Sequence, residues 1–253
     1  MSARLTVVVP AFEEAARIGG TLASLRNALR SAEADGLEVI VVDDGSSDGT
    51  AAAAERAGAD RVIRLDRNRG KGAAVRAGMV AASGRTVAYT DADLAYPPEQ
   101  LLLLLAEVER GSPFVAGSRK HVETVTLIHD RRLREVTGRA FNLLSRLVVL
   151  GRYRDTQCGL KVFDAGAAHL LFSAGLVDGF AFDVELFRLA ELLSIPIVEV
   201  PVTVSNARSS TVQVGRDSQR MIADLARIRR WAGDGTYAER LAALRPGSAP
   251  KGN

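Results

Sequence analysis

The sequence predicts an α/β fold, a single domain in which a mostly parallel central sheet is flanked by helices. Short β-branched runs alternate four times with helical segments, as in parallel strands joined by crossover helices. With 253 residues, 47% hydrophobic and 25% charged, the chain can bury its own core and is too apolar for wholesale disorder. We expect this domain to cover residues 1–235, and residues 236–253 to hold the end of a C-terminal helix and a disordered tail.

Four strand and helix pairs account for the first half of the chain. Apolar, β-branched runs bounded by turn residues predict buried strands at 5–10, 39–42, 61–65 and 86–90. Helices are predicted between and after them, at 13–31, 50–57, 72–83 and 98–110. The first helix has apolar residues at helical spacing, and the second is rich in alanine.

The alternation weakens after a fifth strand at 114–119. We expect a mobile loop at 120–131 and an arginine-containing helix at 132–150. Later elements are predicted as a helix at 182–193, a strand at 197–200 and a basic amphipathic helix at 216–231.

The charges are segregated along the chain, although 33 basic and 30 acidic side chains leave a net charge of only +3. Residues 1–109 carry 12 basic and 16 acidic side chains, and residues 110–161 carry 11 basic and 4 acidic ones. A second basic segment lies at 206–231, with 6 basic and 2 acidic side chains. An acidic body with two basic patches favours a local, anionic partner. Nucleic acid is disfavoured because the basic segments alternate with acidic ones and aromatics make up only 5%.

No segment resembles a membrane span or a signal peptide. The longest apolar run, 101–106, is far short of the ~20 residues that cross a bilayer. The single cysteine, Cys158, excludes an intramolecular disulfide and suits a reducing compartment. We therefore expect a cytoplasmic protein.

The loops after the first strands are expected to meet at one edge of the sheet, because ligands in such folds bind beyond the carboxyl ends of the strands. Asp91 and Asp93 follow the fourth strand, and two carboxylates at a bend suit Mg²⁺ or Mn²⁺. The alternative is a turn with two solvated aspartates. Asp43 and Asp44, at the end of the second strand, are placed to accept hydrogen bonds from a base or a ribose.

Residues 68–72, Asn-Arg-Gly-Lys-Gly, do not form a Walker loop, since Leu65 and Gly72 stand where that motif needs glycine and Ser or Thr. The glycines, Gly72 among them, still let backbone approach a ligand, with Lys71 near a diphosphate.

Four motifs together resemble glycosyltransferase family 2, whose members have the GT-A fold and use nucleotide sugars. They occupy residues 8–14, 42–50, 68–72 and 91–93. Three further motifs, at 117–119, 155–163 and 180–186, resemble the dolichyl-phosphate glucose synthase branch of that family. Mannose-transferring relatives commonly have glutamine where this chain has Ala95, which favours the glucose branch.

The resemblance implies a role for each matching residue. Pro10, Ala11, Glu13 and Asp43 would cradle the base and ribose, Lys71 and Asp91 would lie near the ribose and diphosphate, and Asp93 with Asp91 would hold the metal. Arg119 would contact phosphates of the donor or the acceptor. Arg131 and Arg134 lie in the basic segment that would bind the acceptor phosphate at a membrane surface; a solvated helix face is the alternative.

Asp183 has two interpretations. Its motif position resembles the general base of other inverting members, but Asp183 also suits a helix N-cap or a partner for an arginine. Glu185 is divided between the site and a solvated face. A phosphate acceptor, which is largely deprotonated at neutral pH, needs no strong base, whereas a hydroxyl acceptor does.

These observations predict an inverting transfer of a hexose, glucose first, from a nucleotide sugar such as UDP-glucose to a polyprenyl or dolichyl phosphate. The enzyme would bind peripherally at the cytoplasmic face of the membrane. The alternatives are mannose transfer from GDP-mannose, hexose transfer to a soluble or glycolipid hydroxyl, and a nucleotide-sugar-binding module without catalysis.

Overall fold

A seven-stranded sheet forms the centre of the computed structural model, which describes residues 2–126, 153–205 and 216–244. Its strands are β1 Leu5–Ala11, β2 Leu37–Asp43, β3 Arg61–Arg64, β4 Thr86–Tyr89, β5 Phe114–Ser118, β7 Lys161–Asp164 and β8 Ile197–Pro201. They lie in the order β3-β2-β1-β4-β7-β5-β8, and all neighbours are parallel except that β7 runs antiparallel to β4 and β5. Two short strands, β6 Val125–Thr126 and β9 Thr203–Val204, pair separately. The predicted α/β fold with a mostly parallel sheet is confirmed.

Helices cover both faces of the sheet. In the described ranges they are α1 Ile18–Ala28, α2 Arg30–Glu33, α3 Thr50–Arg56, α4 Lys71–Ala81, α5 Gln100–Glu109, α6 Ala165–Ala174, α7 Phe182–Leu192, α8 Arg216–Gly233 and α9 Thr236–Ala243. Alternate residues of one strand enter different cores: Val8 packs with α4, α6 and α7, whereas Val7 and Val9 pack with α1 and α5. Because both faces are buried, the strands are almost continuously apolar, which is why they are visible in the sequence.

The predicted elements of the first half are all present, with shifted ends. The first helix was expected from residue 13 but begins at Ile18, because the chain after β1 first turns through Glu13 with a left-handed φ of 55°. The same predicted helix stops at Ala28, and α2 follows as a separate turn.

The sequence predicts neither β7 nor α6. β7 lies between β4 and β5, and Lys161 stands opposite both Tyr89 and Ala116. The strand has only four residues and opens with a lysine, so it lacks the apolar signal of the parallel strands. Asp164 caps α6 by accepting a hydrogen bond from the amide of Ala167 at 2.8 Å.

The C-terminal part of the described chain packs onto the α7 side of the sheet. α8 contributes Leu225 and Ile228 to the core, and α9 contributes Tyr237, which is 1% exposed. No helix within the described ranges is long and apolar enough to cross a membrane. The predicted helix at 132–150, the end of the loop at 120–131 and the tail after residue 244 lie outside the described residues.

Candidate active site

The loops after β1, β2 and β3 are joined at the carboxyl edge of the sheet. The amide of Asp44 donates to the carbonyl oxygen of Ala11 at 2.9 Å. The Asp44 carboxylate accepts hydrogen bonds from the amides of Arg69 and Gly70, both at 2.8 Å, and its burial raises its pKa. Asp44 thus holds the loop at 68–70 in place, and its contact with a nucleotide stays a prediction.

Asp43 and Glu13 lie in the same corner. Asp43 is 1% exposed, and its Oδ1 accepts a hydrogen bond from the amide of Ser46 at 2.9 Å. The amide of Glu13 donates to Ser46 Oγ at 2.9 Å, while Glu13 Oε1 accepts from the amide of Ser47, also at 2.9 Å. The end of β1, Pro10 and Ala11, runs beside Asp43 in register with β2. The structure therefore brings these four predicted residues together.

Lys71 and Asp91 form an ion pair next to this corner. Lys71 is the first residue of α4, and its Nζ lies 2.5 Å from Asp91 Oδ1. Burial by itself would lower the pKa of Lys71, but the carboxylates of Asp91, Asp183 and Asp93 outweigh it and hold that pKa above its ordinary value. Lys71 is therefore a fixed positive charge at the edge of the sheet.

Asp93 completes an acidic group with Asp91. Burial and the charge of Asp91 both raise the pKa of Asp93, so two like charges lie close together in a partly buried place. A divalent cation would relieve that repulsion, and the oxygen ligands are those that Mg²⁺ and Mn²⁺ prefer. The two residues therefore fit a metal. Among the described residues no group of three or more His, Cys, Asp or Glu is placed to hold one, so a cation here would take its other ligands from water or a bound phosphate.

Gly159 supports Asp91 from behind. A Cβ at this position would collide with Asp91 Oδ2, so only glycine lets the backbone lie directly against the carboxylate. The flanking residues, Cys158 and Leu160, are fully buried. Gly159 belongs to a motif of the sequence, but the sequence does not indicate its role. Its contact with Asp91 depends on the fold, which places the turn before β7 beside the end of β4.

Arg119 directly follows β5, and its side chain is bound by a partner that the sequence did not reveal. Its Nε and Nη2 donate to Asp155 Oδ2 and Oδ1 at 2.7 and 2.9 Å, and its amide donates to Oδ2 at 3.0 Å. Burial alone would raise the pKa of Asp155, but the Arg119 guanidinium and backbone amides outweigh it and hold that pKa at about 2. Asp155 is fully buried, whereas the Arg119 side chain is 40% exposed and can still receive an anion. The segment 155–159 therefore contacts Arg119 at one end and Asp91 at the other.

Asp183 is buried in a polar cluster with Lys161 and Tyr89. Its Oδ1 accepts hydrogen bonds from the Tyr89 hydroxyl and from Lys161 Nζ, the latter at 2.5 Å. The residue at the N-cap of α7 is Ala181, so Asp183 is not the cap, and its cationic partner is a lysine rather than an arginine. Lys161 is the main residue that the sequence did not identify. The only sign of it in the sequence is a lysine within the otherwise apolar run 160–163.

Glu185 and Gly72 both serve the packing of the loop at 176–179. Glu185 is 1% exposed and accepts hydrogen bonds from the amides of Leu176 and Val177 and from the Tyr237 hydroxyl, so the predicted solvated face is wrong. A Cβ on Gly72 would lie 2.6 Å from the Val177 carbonyl oxygen, so this glycine is needed for contact with the protein itself. A ligand contact of Gly72 stays a prediction. Arg131 and Arg134 lie outside the described residues.

Known proteins share the sequence pattern and the fold of this chain. The family model for Glycosyl transferase family 2 matches residues 6–174. Dolichyl-phosphate beta-glucosyltransferase of Drosophila melanogaster is 38% identical over 239 residues, which cover 85% of this chain and 73% of that protein. The protein of the same name from Homo sapiens is 35% identical over 237 residues, with the same two coverages.

Among solved structures, glucosyl-3-phosphoglycerate synthase from Mycobacterium tuberculosis has the same fold. Its complex with Mn²⁺, UDP and glucosyl-3-phosphoglycerate has a TM-score of 0.68 and 25% identity, and the match covers 90% of this chain and 80% of that one. The motifs at the carboxyl edge, the family match over more than half of the chain and these relatives lead to one assignment: the chain is a member of glycosyltransferase family 2.

Proposed function

We propose that the protein is an inverting glucosyltransferase that moves glucose from UDP-glucose to a polyprenyl phosphate such as dolichyl phosphate. The observation that carries this proposal is the identity of 35–38%, over 85% of the chain, with proteins named dolichyl-phosphate beta-glucosyltransferase. The clustering of Asp43, Lys71, Asp91 and Asp93 at one edge of the sheet agrees with it, because a nucleoside diphosphate needs both cations and hydrogen-bond acceptors.

The donor would lie along the ends of β1, β2 and β4. Asp43 and Glu13 supply carboxylate oxygens for the base and ribose, and Lys71 places an ammonium group where the diphosphate charge would lie. Asp91 and Asp93 would hold Mg²⁺ or Mn²⁺, which when bound supplies positive charge to the departing diphosphate. Lys71 remains protonated because its pKa is raised, so it stabilises the leaving group without giving up a proton.

The acceptor would bind through its phosphate at Arg119. The Asp155 carboxylate fixes the guanidinium in one orientation, and the exposed part of the Arg119 side chain remains available to the anion. A phosphate oxygen attacks the anomeric carbon, the bond to UDP breaks, and the configuration inverts. The second pKa of a phosphate monoester is about 6, so the attacking oxygen is already deprotonated at neutral pH.

The burial of Asp183 agrees with a phosphate acceptor. This residue, which resembles the base of other inverting members, is 4% exposed and already accepts hydrogen bonds from Lys161 and Tyr89. A hydroxyl acceptor, such as the phosphoglyceric acid bound in a complex of the Mycobacterium tuberculosis enzyme, must lose a proton during attack. We therefore rank a hydroxyl acceptor second, above mannose transfer from GDP-mannose and above a module that binds nucleotide sugars without catalysis.

A lipid phosphate would bring the enzyme to a membrane surface, and we place it peripherally at the cytoplasmic face. The described part of α8 carries exposed arginines, namely Arg220, Arg227, Arg229 and Arg230. Basic side chains near an anionic lipid surface contribute about 1 kcal/mol each. Of these arginines, Arg220 and Arg227 are seven residues apart on one face of α8 and line a cavity together with Lys71, so this pair supports peripheral binding next to the site.

The test is a transfer assay with matched donors and acceptors. Radiolabelled UDP-glucose and GDP-mannose would each be incubated with polyprenyl phosphate in detergent or with 3-phosphoglycerate, with Mn²⁺ or with EDTA. We expect label to enter the organic phase only with UDP-glucose, polyprenyl phosphate and the metal. A water-soluble phosphoglycerate product would favour the second candidate, and donor binding without transfer to either acceptor would contradict the enzyme function.

A further inference from the structure

We propose that Asp183 and Lys161 are positioning residues, which hold the Asp91 carboxylate for the donor, and that Asp183 is not a general base. This inference rests on the proposed function for the identity of the donor. It concerns the buried cluster of Asp183, Lys161 and Tyr89, which lies behind the Lys71–Asp91 ion pair.

The cluster is buried, and Asp183 Oδ1 accepts two hydrogen bonds within it. Lys161 is 0% exposed and Asp183 4% exposed, and the Lys161 ammonium lies 2.5 Å from Asp183 Oδ1. The same oxygen accepts from the Tyr89 hydroxyl, and the Lys161 Nζ lies 5.5 Å from the centre of the Tyr89 ring. A buried ammonium without such partners would be strongly unfavourable, so the three side chains hold one another in a single arrangement.

Lys161 connects this cluster to Asp91. Its Nζ also donates to the carbonyl oxygen of Cys158 at 2.5 Å, and the next residue is Gly159, whose backbone lies against Asp91 Oδ2. One ammonium group therefore fixes the turn that supports the carboxylate. Tyr89 reaches the same place from the other side, since it ends β4 two residues before Asp91.

The geometry disfavours proton transfer to Asp183. A general base must come within hydrogen-bond reach of the acceptor's proton, and Asp183 Oδ1 already has two donors. Both donors reach the carboxylate from inside the protein, since Lys161 and Tyr89 are each 0% exposed.

The test measures donor binding with no acceptor present. UDP binding to wild type, Asp183→Asn and Tyr89→Phe would be measured by titration calorimetry in Mn²⁺ and in EDTA. A positioning role predicts that Asp183→Asn weakens UDP binding in Mn²⁺ by about ten- to a hundredfold, the range seen when outer-shell partners of metal ligands are lost. Tyr89→Phe keeps the ion pair and should weaken binding less, in the same direction.

The control is Glu38→Gln at the opposite edge of the sheet. Glu38 accepts three hydrogen bonds, from the Thr6 hydroxyl and from the amide and hydroxyl of Ser83. Loss of this carboxylate should lower the melting temperature and leave UDP binding unchanged. Lys161→Met should have a lower melting temperature than the double variant Lys161→Met/Asp183→Asn, because the single change leaves a buried carboxylate without its cation.

The outcomes separate this inference from the proposed function. If Asp183→Asn folds and binds UDP like wild type, yet has lost the acid limb of the pH profile of kcat, then Asp183 acts as a general base and the inference is overturned. Unchanged UDP binding in both Asp183→Asn and Tyr89→Phe would overturn it as well. If wild type itself binds no UDP, the proposed donor is wrong, and this inference is overturned together with it.

Discussion

Arg119 and Asp155 form a bidentate ion pair in which Asp155 is buried and Arg119 is partly exposed. The carboxylate is fully buried, while the guanidinium side chain that covers it is 40% exposed. The pair meets a structural need, since a buried charge requires a partner, and its open side is where we propose that a phosphate binds.

The double variant Arg119→Met/Asp155→Asn should recover stability without recovering transfer. Arg119→Met alone leaves the Asp155 carboxylate buried with only backbone donors. We expect a loss of about 3 kcal/mol in the free energy of unfolding, the lower end for a broken buried ion pair, because Arg119 is partly exposed. The added Asp155→Asn removes the unpaired buried charge and should restore most of the free energy of unfolding. Thermal melting and the transfer assay check this, and transfer that returns together with stability would show that Arg119 is only structural.

The Arg119–Asp155 pair should also weaken in acid within a defined range of pH. The pKa of Asp155 is about 2 in the folded protein and about 3.9 in an unfolded chain, so the pair contributes fully above about pH 4 and its contribution is lost as the pH falls towards 2. The amount is about 2.6 kcal/mol. Urea unfolding of wild type and the double variant at several pH values measures it. The difference between the two proteins should change between pH 4 and 2; a constant difference would contradict the assignment.

Asp93→Asn should remove metal-dependent donor binding and leave the protein at least as stable as wild type. Burial and Asp91 both raise the pKa of Asp93, so its charge is unfavourable without a cation, and the amide relieves that cost. Titration of UDP with and without Mn²⁺, together with melting temperatures, measures both effects. Glu55→Gln, an exposed change on α3, is the control and should alter neither. Mn²⁺-dependent binding that survives in Asp93→Asn would exclude its role as a ligand.

Gly159→Ala should weaken donor binding, whereas Gly20→Ala should not. A Cβ at residue 159 collides with the Asp91 carboxylate and must displace it, while a Cβ at residue 20 meets nothing within 4 Å. In α1 the alanine should even stabilise the protein, by about 0.5–1 kcal/mol. UDP affinity and urea unfolding of both variants test this, and an unchanged affinity in Gly159→Ala would show that Asp91 does not depend on the turn behind it.

The carboxyl edge was predictable because it depends on local patterns. Asp43 ends β2, Asp91 lies two residues after β4, and Lys71 opens the helix after β3. Parallel strands bring such residues to one edge whatever the details of packing. The helix starts were less predictable. The shift of the first helix from residue 13 to Ile18 results from a backbone turn at Glu13 that side-chain periodicity does not record.

The residues that support this edge were not predictable in the same way. These residues lie on β7 or shortly before it, namely Asp155, Gly159 and Lys161. β7 pairs antiparallel with β4, although more than 70 positions separate the two strands in the sequence. Their partners are set by strand order, not by spacing in the sequence. Asp183 was visible as a motif residue, but its burial and its lysine partner depend on that same insertion.

The position of β7 between β4 and β5 also determines how late in synthesis the central sheet can be completed. When β4 has left the ribosome, its β7-side edge has no neighbour until Lys161–Asp164 appears. At about 5–20 residues per second, that delay lasts a few seconds or more. During this time Asp91 lacks Gly159 behind it, and an apolar strand edge stays open to wrong pairing. A nascent chain that stops before residue 161 therefore carries every predicted donor-binding residue and still lacks the support that would let them bind the donor.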